Sequence, residues 1–193
     1  ASLFLSYTIF AGQPVIARSA RLENGGSEAL HLTHAMSLCL DLPDSDYELV
    51  HFSGAWSRER HQRVRRLEEG IQSVESTRGH SSHSHNPFIM LRRPGTGEDS
   101  GEAIGFSLVY SGNFLAQVEV DAWDTARVTM GINPFGFDWK LSPGESFQTP
   151  EAVMAYSCRG MGEMSRAFHR LYRTRLARGQ WRDRPRPILI NNW

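Results

Sequence analysis

Turn-forming residues cut the chain into short pieces from its start to about residue 150, and this punctuation narrows the fold more than any other feature. Gly12, Asn24-Gly25-Gly26, Pro94-Gly95, Ser111-Gly112-Asn113, Asn133-Pro134-Phe135-Gly136 and Ser142-Pro143-Gly144 each suit a turn. Between them lie runs with strand character: Ser2–Phe10, Pro14–Asn24, Ala29–Leu42, Gly70–Thr77 and Phe88–Arg92, then Ala103–Tyr110, Phe114–Val120, Ala126–Ile132 and Ser146–Tyr156. In Ala29–Leu42 apolar and polar residues alternate, which sets Leu30, Leu32, Leu38 and Leu40 on one side of the pleat. Many short strands at this spacing predict a mainly β fold, a large antiparallel sandwich.

After residue 158 the period changes. Met161, Met164, Phe168, Leu171 and Leu176 fall at helical spacing, with Arg166, Arg170, Arg173 and Arg178 turned largely the other way and Gly179 as a stop. One amphipathic helix after an all-β body, followed by Arg184-Pro185-Arg186-Pro187, reads as a connector. The apolar run Ile188-Leu189-Ile190 then reads as a strand buried on both faces, the kind found in parallel sheets. Such a strand needs partners on both sides, so it is expected to open a further domain. The chain is accordingly expected to be an excised piece of a longer protein.

Composition sets bounds. With 193 residues, 40% hydrophobic and 22% charged, one domain with a real core is the default. The formal net charge is zero, which removes the global field that recruits nucleic acid or an anionic membrane. No apolar run is long enough to cross a bilayer. Cys39 and Cys158 sit in apolar contexts without metal-type spacing, and buried free thiols in a reducing, cytoplasmic compartment are expected.

Three constellations could carry chemistry. His80, His83 and His85 lie within six positions, but no cysteine or distant histidine pair completes a tetrahedral zinc set. A hydrogen-bonded structural loop is the expectation there, with no metal and no cofactor. The stretch from Pro43-Asp44-Ser45-Asp46-Tyr47-Glu48 to Phe52-Ser53-Gly54-Ala55-Trp56-Ser57-Arg58-Glu59-Arg60-His61 mixes an aromatic ring with carboxylates and arginines. That mixture recognises sugars, the ring stacking on a pyranose and the charged groups bonding hydroxyls. Composition alone reads the same stretch as a core tryptophan beside a surface ion-pair network. Trp193 follows the Ile188–Ile190 run, and residues after a barrel strand face the catalytic mouth.

Six stretches also carry a family resemblance: Ser53–His61, Ser76–Phe88, Gly105–Phe114, Gly131–Phe135, Phe147–Glu151 and Pro187–Trp193. Together they resemble the bacterial α-galactosidases (melibiases) of glycoside hydrolase family 36. The resemblance implies that residues 1–158 are part of an N-terminal β-supersandwich, 159–184 a connecting helix and linker, and 185–193 the first strand of a (β/α)8 catalytic barrel. It implies a parent enzyme that hydrolyses terminal α-linked galactose from melibiose- and raffinose-type oligosaccharides with retention. Retaining glycosidases need two carboxyl groups about 5–5.5 Å apart, and in this family both are aspartates beyond Trp193. No catalytic residue is therefore expected here, and Asp44, Asp46 and Glu48 are not given that role. By resemblance, Trp193 belongs to the galactose-binding wall and Trp56 reaches a neighbouring subunit's site in tetrameric members. Tyr47 and Asp46 are the remaining substrate-binding candidates. The expected partners are α-galactosides, through the intact enzyme, and further copies in a homo-oligomer, with a tetramer the candidate. A stand-alone carbohydrate-binding β-sandwich module is the alternative.

Overall fold

The computed structural model describes residues 1–192. Fourteen strands and one α-helix follow one another along the chain. The strands are β1 (Ser2–Ile9), β2 (Val15–Glu23), β3 (Leu30–Leu32), β4 (Ala35–Leu42), β5 (Glu48–Ala55), β6 (Arg58–Arg66) and β7 (Gly70–Glu75). They continue with β8 (His85–Arg92), β9 (Ala103–Val109), β10 (Phe114–Val120), β11 (Ala126–Ile132), β12 (Trp139–Leu141), β13 (Ser146–Gln148) and β14 (Glu151–Ser157), and the helix is α1 (Gly160–Leu171).

An eight-stranded sheet runs in the order β1-β2-β14-β9-β8-β5-β6, with β13 also on β2. A four-stranded sheet, β4-β11-β10-β7, lies against one face of it, and β12 pairs β3. Every ladder is antiparallel, as the short turns require. The period-two alternation of the central strands feeds two cores. In β9, Ile104, Phe106 and Leu108 face the small sheet, while Ala103 and Val109 face the helix. Between the sheets lie Leu49, Ile89, Leu91, Phe106, Phe114 and Val118, all nearly inaccessible to water. Each such large side chain contributes about 1.5–3 kcal/mol.

Helix α1 closes the second face of the large sheet. Met164, Ala167, Phe168 and Leu171, one helical stripe, pack on Val15, Ala17, Val50, Met90 and Val153. The start of the helix has no side-chain cap. Its first amides are instead met by the loop after β8: Met161 donates to the Gly97 carbonyl and Gly162 to that of Glu98. That approach requires glycine at 160, where φ is +81° and a Cβ would stand 2.4 Å from the Glu98 carbonyl oxygen.

Several expectations are revised. The single strand expected over Ala29–Leu42 is two, β3 and β4, and Leu38 is buried while Leu40 is only partly so. A register shift opposite Met130 and Gly131 changes the phase. Ser146–Tyr156 divides at Thr149-Pro150 into β13 and β14, because the Thr149 side chain and amide bond β2 at Ala20. Both cysteines are free, as expected, but exposed rather than buried: Cys39 points outward from β4 and Cys158 follows the end of β14. The helix ends as α at Leu171 and continues as a π turn over Tyr172–Leu176 that leaves Leu176 half exposed. Ile188, Leu189 and Ile190, expected as a buried strand, are exposed and pair with no strand among the described residues. A strand of that composition forms only against neighbours.

Candidate functional site

The segment 48–66 is a β-hairpin that the punctuation did not mark. β5 and β6 pair from Glu48↔Arg66 to Ser53↔His61, then shift register before Ala55↔Arg58. Trp56 and Ser57 form the turn. In the turn the left-handed backbone falls on Ser57 (φ 62°), and a second left-handed residue, Arg60 (φ 59°), lies in β6 at the register shift; neither is glycine or asparagine. Gly54 serves a different need. A Cβ there would lie 2.6 Å from the Arg58 carbonyl oxygen and 2.7 Å from the Glu59 Cα, so the two strands can close at the bulge only over a bare backbone. The Ser57 amide is held by the Glu59 carboxylate at 3.0 Å.

At this tip the Trp56 ring stands 82% exposed. An exposed indole on a fixed hairpin offers a flat apolar face and one N–H donor, which suits the C–H face of a sugar ring. Below it, on the helix side, the hairpin walls a groove of about 510 Å³ against α1. Phe52, Phe88, Phe168 and Tyr172 line the groove in successive contacts of 5.9, 5.7 and 5.7 Å between centroids, with Arg60 and Gln62 on the hairpin side. The Tyr172 hydroxyl donates to Ser107 Oγ at 2.7 Å, and burial pushes its phenol pKa up.

Asp46 and Tyr47 lie at the other end of the hairpin. Seven residue steps along β5, about 23 Å, separate Glu48 from Ala55. Asp46 accepts from Arg66 at 2.8 Å and ties off the end of β6. Tyr47 is 2% exposed, within the core, under the Arg93 guanidinium. The structure therefore does not bring Trp56 together with Asp46 and Tyr47, although they are close in sequence. Trp193 lies outside the described residues.

The histidine-rich loop is pinned by its serines. Ser76 Oγ donates to the His80 carbonyl, the Ser81 amide to Ser111 and the Gly79 amide to Asn113 Oδ1. Asn133, buried, closes the same corner by donating to Glu75 and to the Ser76 and Phe114 carbonyls. No group of three His, Cys, Asp or Glu able to hold a metal is present among the described residues.

Residues 1–142 match the glycosyl hydrolase family 36 N-terminal domain, and residues 146–193 match melibiase. The chain belongs to glycoside hydrolase family 36. It is 59% identical over 189 residues to the α-galactosidase AgaA of Geobacillus stearothermophilus, covering 98% of this chain and 26% of that protein. It is 44% identical, with the same coverage, to the α-galactosidase Mel36A of Lactobacillus acidophilus. Among solved structures, an AgaA variant in complex with raffinose superposes with a TM-score of 0.96 over 99% of this chain and 27% of that one. The α-galactosidase of Lactobacillus brevis does so at 48% identity with a TM-score of 0.96, covering 99% of this chain and 26% of that one. This family 36 chain thus spans about a quarter of the length of the curated relatives it matches. Within the family frame it is the N-terminal β-sandwich with one helix packed on its large sheet.

Proposed function

We propose that this chain is the ancillary N-terminal portion of a retaining α-galactosidase acting on raffinose- and melibiose-type oligosaccharides. Its hairpin presents Trp56 to the galactoside site of a neighbouring subunit in a homo-oligomer, with Trp193 in the galactose-binding wall of its own subunit. The observation that carries this reading is the placement of Trp56, an exposed indole at the tip of a hairpin shaped by left-handed Ser57 in its turn and by Arg60 and a bare Gly54 at its bulge. Relatives described as α-galactosidases, one of them bound to raffinose, supply the substrate class. Asp46 and Tyr47 are read as holding the root of the hairpin. Free, exposed thiols fit a reducing cytoplasmic compartment.

Trp56→Ala in the full-length enzyme tests this. Loss of the stacking face, about 1–1.5 kcal/mol, should raise KM for raffinose by about tenfold, with the oligomer retained by light scattering. Unchanged kinetics in a still-assembled variant would reduce Trp56 to a surface residue. The 193-residue chain alone should release no nitrophenol from a nitrophenyl α-galactoside, and turnover above a mock preparation would defeat its ancillary role.

A further inference from the structure

His51 on β5 and His85 on β8 meet where the ladder between these strands is irregular. Pairing steps from His51↔Ile89 to Ser53↔His85 with a register shift between them, so backbone bonding is weakest there. The two ring centroids stand 5.8 Å apart. His51 is 6% exposed, and the Nδ1 atoms of both rings are buried without a hydrogen-bond partner. A neutral imidazole tolerates this, since Nδ1 can be the bare lone pair while Nε2 carries the proton. An imidazolium does not, because both nitrogens then donate and the buried Nδ1–H meets no acceptor.

The surroundings are cationic. On β6, Arg63 stands directly opposite His51, Arg65 is the next residue on the same face, and His61 lies exposed opposite Ser53. From the small sheet, β7 accepts from Arg65 through the Ser73 carbonyl and turns Val74 into the core. Its Glu75 accepts from Asn133 instead. The loop before β8 adds Arg78, His80 and His83, all exposed. Burial first, then Arg65, His85 and Arg63, hold His51 below its ordinary pKa of 6.5, against an opposing backbone hydrogen bond at Phe52.

We propose that His51, packed against the His85 ring, is an acid-sensitive positioning group: as a neutral ring it closes β5 onto β8 beneath the hairpin, and its uptake of a proton loosens that closure and frees Trp56. Any consequence for galactoside binding rests on the role given to Trp56 above; the effect on the hairpin does not. The unfolded chain binds the proton at a higher pH than the folded one, so this closure is complete above pH 6.5 and lost as pH falls below it.

Hydrogen–deuterium exchange of the 193-residue chain, corrected for intrinsic rates, tests the pair without any sugar. Between about pH 7 and about pH 5, protection over residues 48–66 should fall by roughly tenfold, while residues 114–132 keep theirs. His51→Phe and, separately, His51→Gln should hold hairpin protection level across that range; His61→Phe should behave as the unaltered chain. A flat profile in the unaltered chain overturns the proposal. So does an undiminished fall in either folded His51 variant, and if one variant does not fold the other decides. Because no substrate is present, a negative kinetic result for Trp56→Ala leaves this outcome intact, and the reverse holds as well.

Discussion

Arg93 lies over the ring of Tyr47, its guanidinium carbon 3.9 Å from the ring centroid, and forks onto both carboxylate oxygens of Asp44. Its Nε is also 3.4 Å from Glu102, whose carboxylate meets the hydroxyls of Tyr47 and Tyr156. One planar cation thus ties the segment before the hairpin to the end of β8 and the start of β9. The arrangement explains why the Asp44 carboxyl is held below its ordinary range, chiefly by the hydrogen bond from Arg93.

Arg93→Lys keeps the charge but loses the fork and much of the contact with the ring. Asp44 is 43% exposed in its side chain, so water screens that pair and the ionic part contributes little. With the cation–π contact included, we expect a loss of about 1 kcal/mol. Thermal unfolding should shift down by about 2–4 °C. An unchanged midpoint would mean that the contact is incidental to stability.

Tyr47 gives a second, alkaline reading of the same cluster. Its phenol is pushed up to about 12, first by burial, then by Glu102 and Asp44, with Arg93 opposing. The unfolded chain ionises near the ordinary value of 10. Between those pH values the unfolded state holds fewer protons, so stability is intact below about pH 10 and declines towards pH 12. Denaturant midpoints measured on either side of pH 10 should show the decline, and Tyr47→Phe should reduce it.

The sandwich was legible because glycine, proline and asparagine mark its turns, and because strands such as Phe114–Val120 alternate cleanly between core and small-sheet surface. The hairpin that carries Trp56 was not, since its left-handed positions are Ser57 and Arg60 and its edge strand β6 is almost wholly polar. A signal was present in Leu49-Val50-His51-Phe52, a largely apolar, β-rich run, but the exposed, charged sequence of β6 lacks the alternation that marks a partner strand. Asp46 and Tyr47, candidates from the stretch adjoining Trp56, lie at the far end of the hairpin, because a β-strand advances about 3.3 Å per residue. The spacing of Met164, Phe168 and Leu171 located α1 correctly, and only its π-turn ending went unforeseen.

Gly54→Ala should disturb the hairpin without touching the core. The new methyl would meet backbone of Arg58 and Glu59, which cannot rotate away as a side chain can. We expect a loss of about 1–3 kcal/mol, with faster amide exchange confined to residues 48–66. In the full-length enzyme the same change should mimic Trp56→Ala in KM, since the ring is displaced instead of removed. Normal exchange in the hairpin would show that the bulge can relax around a methyl group.

At Gly105 on β9 the side chains of the helix press directly on the backbone of the large sheet. A Cβ there would stand 2.5 Å from the Met164 sulfur and 2.6 Å from Phe168 Cε2. The methionine is unbranched and can move; the phenylalanine is packed between Phe88 and Tyr172 and cannot. Gly105→Ala should therefore cost about 1–3 kcal/mol by lifting α1 from the sheet. Phe168→Leu alone should also destabilise, by leaving space in the same layer. Combined, the two changes should cost less than the sum of their separate effects, by about 0.5–3 kcal/mol, because the smaller side chain makes room for the methyl. Strict additivity in the double-mutant cycle would show that the helix is held off β9 by some other contact.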